Sequence, residues 1–314
     1  MKQNGRTRSD VRTVVVTGAT SGIGLAAARR LARLGCRLIG VGRSAARCAE
    51  AEAVVRADSP GAAVDYLVAD LGSQRQVRAL AQEIRARLEE ENGGRLDALV
   101  NNAGAVSRWY VATEDGYETQ FAVNYLAPFL LTLELLPALG RAPSARVVTT
   151  SSGSHFRTRM RWNDLMLRRR YNPLAAYKQS KLADVLFTNE LNHRLGPTST
   201  VRAYAVDPGL VDTAIGEKGT GGLVRWVWRL RRRGGISPEE AARTLVYLAV
   251  EPVLQYPLAG YWKECRPAGA SPYAEREEAR RRLWEVSERL CGIPADAGTP
   301  FFAEGRAVGE GAAL

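Results

Sequence analysis

Tyr177 and Lys181 stand four residues apart in the stretch Tyr177-Lys178-Gln179-Ser180-Lys181, and on a helix that spacing brings a phenol and an ammonium to the same side. A phenol ionises near ~10, but a neighbouring cation stabilises the phenolate, so such a pair can give or take a proton at neutral pH. The same spacing arises by chance on many helices, so the rest of the chain must supply a reaction centre around it. Asn124 is one candidate, an amide inside the apolar run Phe121-Ala122-Val123-Asn124-Tyr125-Leu126-Ala127-Pro128-Phe129. An amide and a proline inside a buried helix are costly without partners, so Asn124 is expected to break the helical ladder and hold a water. Ser152 is another, at the end of the strand-like run Ala145 to Thr150.

The elements that must position these groups begin at Arg12 to Val16, a β-branched run entering Thr17-Gly18-Ala19-Thr20-Ser21-Gly22-Ile23-Gly24, followed by a helix-like stretch from Leu25 to Leu34. In a strand, glycine turn and helix, the glycines let the backbone approach a pyrophosphate and the helix N-terminus meets its charge. A second strand, Cys36 to Val41, ends in Gly42-Arg43-Ser44, so an arginine stands where an NAD enzyme places an acid. A guanidinium there can pair with a 2′-phosphate, which favours NADP. Further strands are predicted at 64–69 (ending in Asp70-Leu71), 96–100 (ending in Asn101-Asn102-Ala103-Gly104), 145–150, 201–206 and 258–263. Between them run helical patterns at 73–91, 117–139, through Tyr177, and from Ser237-Pro238 to about Val250, with a last one opening at Ser271-Pro272. This alternation predicts an α/β fold: a single Rossmann-type, doubly wound parallel sheet of about seven strands with helices on both faces.

Composition narrows the function. The 314 residues are 46% hydrophobic and 25% charged, an ordinary globular mixture, with a formal charge of +11. The basic residues are mostly arginines spread through every segment, so a nucleic-acid partner is not expected. The local exception, Leu223 to Arg233, holds two tryptophans among five arginines; it reads as part of a substrate lid over about 214–235, with peripheral membrane contact as the alternative. Two histidines and no Cys-x-x-Cys pair argue against a metal. No uninterrupted apolar run reaches the ~18 residues of a membrane span, and a cytoplasmic location with reduced thiols is expected. Ser151-Ser152-Gly153-Ser154-His155 invites a hydrolase reading, but no Gly-x-Ser-x-Gly elbow surrounds either serine.

Thr17-Gly18-x-x-x-Gly22-Ile23-Gly24, Asp70, Asn101-Asn102-Ala103-Gly104, Asn124, Ser152, Tyr177-x-x-x-Lys181 and Pro208-Gly209 occur in the order and spacing of the short-chain dehydrogenase/reductase family, which this chain resembles from about Arg12 to Gly292. Asn124 to Thr132, Lys181 to Leu191 and the wide separation of Ser152 from Tyr177 resemble its retinol dehydrogenase-like branch. The resemblance implies a single NADP-binding domain over 12–292, between a polar arm (1–11) and a C-terminal tail (293–314). Tyr177 would then be acid and base. Lys181 would assist it and hold the nicotinamide ribose, Ser152 would bind the alkoxide, and Asn124 would hold a proton-relay water. Cofactor contacts are implied at Gly18, Thr20, Ser21, Gly22, Ile23, Gly24, Arg43, Asp70, Leu71, Asn101, Ala103, Gly104, Tyr177, Lys181, Pro208, Gly209, Val211 and Thr213. The expected reaction interconverts a bulky apolar ketone or aldehyde and its alcohol, with reduction favoured and Trp162, Trp226 and Trp228 near the substrate. A homo-oligomer is expected, and a non-catalytic NADP(H)-binding sensor is the rival reading.

Overall fold

The computed structural model describes residues 11–210 and 235–294. Val211, Thr213, almost all of the expected lid with its 223–233 stretch, and the chain from 295 onward therefore lie outside the described residues.

Among the described residues one sheet runs in the order β3-β2-β1-β4-β5-β6-β7-β8. Its parallel strands are β1 (Thr13–Thr17), β2 (Arg37–Gly42), β3 (Val64–Val68), β4 (Ala98–Asn101), β5 (Ala145–Thr150), β6 (Val201–Asp207) and β7 (Tyr261–Lys263). Val14, Val15 and Val16 are each fully buried, as expected of a strand covered on both faces. The short β8 (Arg266–Pro267) lies antiparallel to β7 and is additional to the expected seven. It forms because Glu264 and Cys265 both take positive φ (51° and 59°), the geometry of a two-residue hairpin turn matched to strand twist.

The helices are α1 (Gly22–Arg33), α2 (Ala45–Asp58), α3 (Gln74–Asn92), α4 (Ala127–Gly140), α5 (Pro173–Leu195), α6 (Pro238–Val250) and α7 (Glu277–Leu290). Side chains of α3, α4, α5 and α7 build the core on one face of the sheet, and those of α1 and α6 the core on the other. Ser44, Ser73, Asn172 and Ser237 cap their helices by accepting main-chain N–H groups. Ser21 precedes α1 without making such a bond. The sheet order reverses between β1 and β4, so the carboxyl ends of those strands open a crevice.

Two expected helices differ from the structure. Tyr117 to Leu139 is not one α-helix: Thr119–Phe121 is a single turn, Ala122–Leu126 is a π-turn, and α4 follows. The stretch Thr119–Gly140 is apolar and long enough to cross a membrane, yet 83% of its most apolar window is buried inside the fold. The last helix begins at Glu277 rather than at Ser271-Pro272: Ser271, whose N–H donates to His155 Nε2 at 3.0 Å, caps a separate turn by accepting the Ala274 N–H, and the helix follows that turn.

Candidate active site

Lys181 of the candidate acid–base pair is fixed by a reciprocal grip between α5 and the end of β5. Ser151 Oγ donates to the Lys181 carbonyl at 2.8 Å, and Lys181 Nζ donates to the Thr150 carbonyl at 2.8 Å. Thr150, the last residue of β5, and Ser151, which follows it, thus hold both ends of Lys181. Its Nζ lies 6.0 Å from the centre of the half-buried Tyr177 ring. Ser152, the next residue, leaves the strand with extended backbone and caps the short turn Gly153–His155. Its hydroxyl accepts the Ser154 N–H at 3.1 Å and lies 3.2 Å from Ser154 Oγ. The structure therefore brings Ser152, Tyr177 and Lys181 to the carboxyl end of β5.

Asn124 breaks the ladder as expected, but its amide does a different task. Oδ1 accepts the Ala105 N–H at 2.7 Å, while Nδ2 donates to the Ala105 carbonyl at 3.1 Å and to Ser180 Oγ at 3.0 Å. Ser180 Oγ in turn donates to the Tyr177 carbonyl at 2.9 Å. The side chain, 1% exposed, ties the loop after β4 to the turn carrying Tyr177.

His155 is not a general base. Its Nδ1 faces the Ser152 carbonyl at 2.8 Å, and Nε2 accepts the Ser271 N–H. Burial holds its pKa below the ordinary value, so the ring is neutral with its proton on Nδ1. Neither nitrogen meets a serine hydroxyl, which disposes of a Ser–His hydrolase.

The expected cofactor cradle is shaped by close backbone approach. A Cβ at Gly24 would stand 2.2 Å from the Gly18 carbonyl oxygen, and one at Gly18, which takes φ +67°, would stand 2.8 Å from Ala103 Cα. Thr17 Oγ1 accepts the N–H groups of Asn102 and Ala103 at 3.0 and 3.1 Å, and Asn102 Nδ2 donates to the Thr17 carbonyl at 3.1 Å. The first turn of α1 has no acidic residue and no side-chain cap, so its N–H groups and positive end suit an anion, with Thr20, Ser21, Gly22 and Ile23 beside it. Arg43 is exposed at the end of β2, where a guanidinium can reach an adenosine phosphate. A dinucleotide fits this donor set.

The side chains of Asn101 and Leu71 turn inward, so the contacts expected there would be made by the main chain. Asn101 is buried, with Nδ2 donating to Thr132 Oγ1 at 3.1 Å, and Leu71 packs into the core. Asp70 spends Oδ1 on the Gly72 N–H at 2.9 Å. Gly104 is exposed beside Ala103. Pro208 and Gly209 follow β6, the latter at φ +82° with its N–H on Asp207 Oδ1 at 3.0 Å. Trp162, expected near the substrate, packs against the core, with the Arg282 guanidinium 4.7 Å over its ring.

The short chain dehydrogenase family model matches residues 12–221. The chain belongs to the short-chain dehydrogenase family. Mouse retinol dehydrogenase 12 is 39% identical over 90% of this chain and 87% of its own length. Mouse polyprenol dehydrogenase is 40% identical over 90% of this chain and 84% of its own. Among solved structures, a short-chain dehydrogenase from Sphingobium yanoikuyae in complex with NADPH aligns with TM-score 0.60 and 26% identity, covering 75% of this chain and 83% of that one. This short-chain dehydrogenase falls in the retinol dehydrogenase-like branch; it is an oxidoreductase with a nicotinamide cofactor.

One charged group beside the catalytic pair is missing from the sequence reading. Asp184 lies one turn beyond Lys181 with no exposed surface, and its Oδ2 accepts from Lys181 Nζ at 3.0 Å. Burial pushes its carboxyl up to about 7 against the pull of that ammonium. The signal available in sequence was an acid three residues after the lysine, on the same helix face.

Proposed function

We propose that the protein is an NADP(H)-dependent oxidoreductase that interconverts a bulky apolar ketone or aldehyde and its alcohol. The observation that carries this reading is the grip on Lys181 by Thr150 and Ser151, the residues leading into Ser152, with the ammonium 6.0 Å from the centre of the Tyr177 ring. The cofactor, when bound, supplies or accepts the hydride. In the reducing direction Tyr177 Oη gives its proton to the carbonyl oxygen, and the Ser152 hydroxyl steadies the oxygen as charge develops on it. Lys181 stabilises the phenolate left behind, and the residues of the glycine cradle bind and orient the dinucleotide. In cells the NADP pool is largely reduced, which favours the alcohol as product.

An NADP preference is supported by the exposed Arg43 at the end of β2, where a guanidinium rather than a carboxylate meets the adenosine side. An apolar substrate is supported by Trp109, Phe156 and Leu210, which are 66%, 40% and 56% exposed. They lie on the segments that follow β4, β5 and β6, at the carboxyl end of the sheet. The retinol and polyprenol dehydrogenases to which the chain is similar are named for apolar alcohols of this kind. A single catalytic domain over 12–292, a cytoplasmic location and a homo-oligomer belong to the same reading; limited proteolysis, fractionation and light scattering test them.

The decisive assay follows NADPH and NADH oxidation with a panel of retinal, long-chain aldehydes and aromatic ketones. NADPH should be preferred, and Tyr177→Phe should lower kcat by about 10²–10⁴-fold while NADPH still binds. A protein that binds NADPH but turns over none of the panel, or a Tyr177→Phe variant with full activity, refutes the reading.

A further inference from the structure

Lys181 carries its charge into the protein interior: the residue is 5% exposed, and two of the three ammonium protons are spent on the Thr150 carbonyl and on Asp184 Oδ2. The carboxylate is the unusual partner. Asp184 has no exposed surface, and its Oδ1 is buried with no hydrogen-bond partner among the described residues. Such an arrangement is costly, since a buried carboxylate needs most of its lone pairs satisfied. An asparagine of the same shape could accept from the ammonium without that cost. The carboxylate is thus more than packing or lysine retention requires.

Its surroundings leave the charge with one main correspondent. From its own helix the facing ionisable group is Lys181. From the π-turn it is Tyr125, whose phenol burial raises well above its ordinary value and whose Oη is engaged by Ser287 of α7 at 2.6 Å. The end of β5 and the residue after it contribute the Thr150 carbonyl and the Ser151 hydroxyl at Lys181, which are uncharged.

We propose that Asp184 is a positioning residue that fixes the Lys181 ammonium between strand and helix and tempers the positive field reaching the Tyr177 phenol. The proposal rests on Tyr177 and Lys181 being the acid–base pair. Tyr177 and Asp184 are seven residues apart on α5, about 10 Å along the helix axis. At an effective dielectric near ~20, a unit charge at that range moves a titration midpoint by about one pH unit, a roughly tenfold change in the phenol–phenolate ratio. Removing the charge leaves Lys181 uncompensated and favours the phenolate. With Asp184 in place the phenol form is kept, the form that donates a proton to a carbonyl oxygen.

The test reads tyrosinate directly and requires no turnover. Ultraviolet difference titrations of the full-length protein and its Tyr177→Phe variant isolate the Tyr177 signal, and the same pair is measured in an Asp184→Asn background. The expected result is a Tyr177 signal that rises about one pH unit lower in Asp184→Asn and returns toward the original position in Asp184→Glu. Coincident curves in a folded Asp184→Asn protein overturn the proposal. Should Asp184→Asn not fold, Asp184→Ser removes the same charge and carries the same comparison. If the acid–base reading itself is wrong, the isolated signal rises only where an ordinary phenol does, near ~10, in every background. That outcome overturns both readings and differs from a perturbed Tyr177 signal that fails to move.

Discussion

Replacing Asn124 by alanine tests the claim that this amide is a tie between two parts of the site. The substitution deletes three hydrogen bonds, of 2.7, 3.1 and 3.0 Å, to Ala105 N–H, Ala105 C=O and Ser180 Oγ. A buried polar group left unsatisfied costs about 1–3 kcal/mol, a donor more surely than an acceptor with a second partner. Ala105 is half-buried, so water can recover part of its loss, whereas Ser180 is fully buried but still donates to the Tyr177 carbonyl. The sum is a destabilisation of about 2–4 kcal/mol, mostly from the Ala105 N–H. Urea unfolding followed by circular dichroism should show a lower midpoint with an unchanged slope. NADPH affinity and kcat should both fall, because the loop after β4 and the turn carrying Tyr177 lose their shared anchor. A loss under about 1 kcal/mol with normal kinetics would refute the reasoning and return Asn124 to an ordinary core position.

Other expectations follow from the same structure. Arg43→Asp should weaken NADPH binding by about tenfold or more and bring NADH to parity, since a charge-assisted contact of about 1.5–3 kcal/mol becomes a repulsion; binding titrations with both cofactors check it. Gly24→Ala should cost cofactor affinity and stability, because its Cβ would meet the Gly18 carbonyl oxygen at 2.2 Å, while Gly140→Ala, with nothing within 4 Å, serves as the tolerated control. His155, whose pKa burial lowers, takes up a proton less readily folded than unfolded, so its contribution is present above ~6.5 and lost as pH falls below that value. Asp184, raised to about 7, acts with opposite sign in an overlapping window, adding stability as pH falls from there toward ~4. The His155 effect is therefore read as the difference between wild type and His155→Gln: the unfolding midpoints should draw together between about pH 7 and 5, and parallel curves would rule it out.

Much of this fold was legible because buried parallel strands read as unbroken apolar runs and because Ser44 and Ser237 announce their helices. The cofactor turn was legible for a similar reason, since only glycines tolerate the approach seen at Gly18 and Gly24. What escaped was set by tertiary partners. The helix over 117–139 has continuous apolar periodicity, and nothing local foretells that Asn124 will reach across to Ala105. Ser271-Pro272 looks like a helix start and does cap a turn onto Ala274, but nothing local foretells that the helix itself waits until Glu277. Asp184 looks like a surface acid in a mixed stretch, and only the packing of α5 against β5 reveals that it is buried. Trp162 meets the Arg282 guanidinium, from more than a hundred residues away, a partner that nothing in the sequence indicates.

The reciprocal grip of Ser151 and Thr150 on Lys181 has a geometric consequence for α5 as a whole. A helix that slips along a sheet by one residue must repack its whole buried face, and every polar contact on that face must be remade. Each such slip rotates the helix by about 100° and advances it about 1.5 Å. Here two bonds of 2.8 Å, one to a carbonyl and one from an ammonium, engage the last residue of β5 and the residue that follows it, and admit one setting. The strand thereby indexes the helix, and the direction in which Tyr177 points is fixed four residues away, by atoms the substrate never touches.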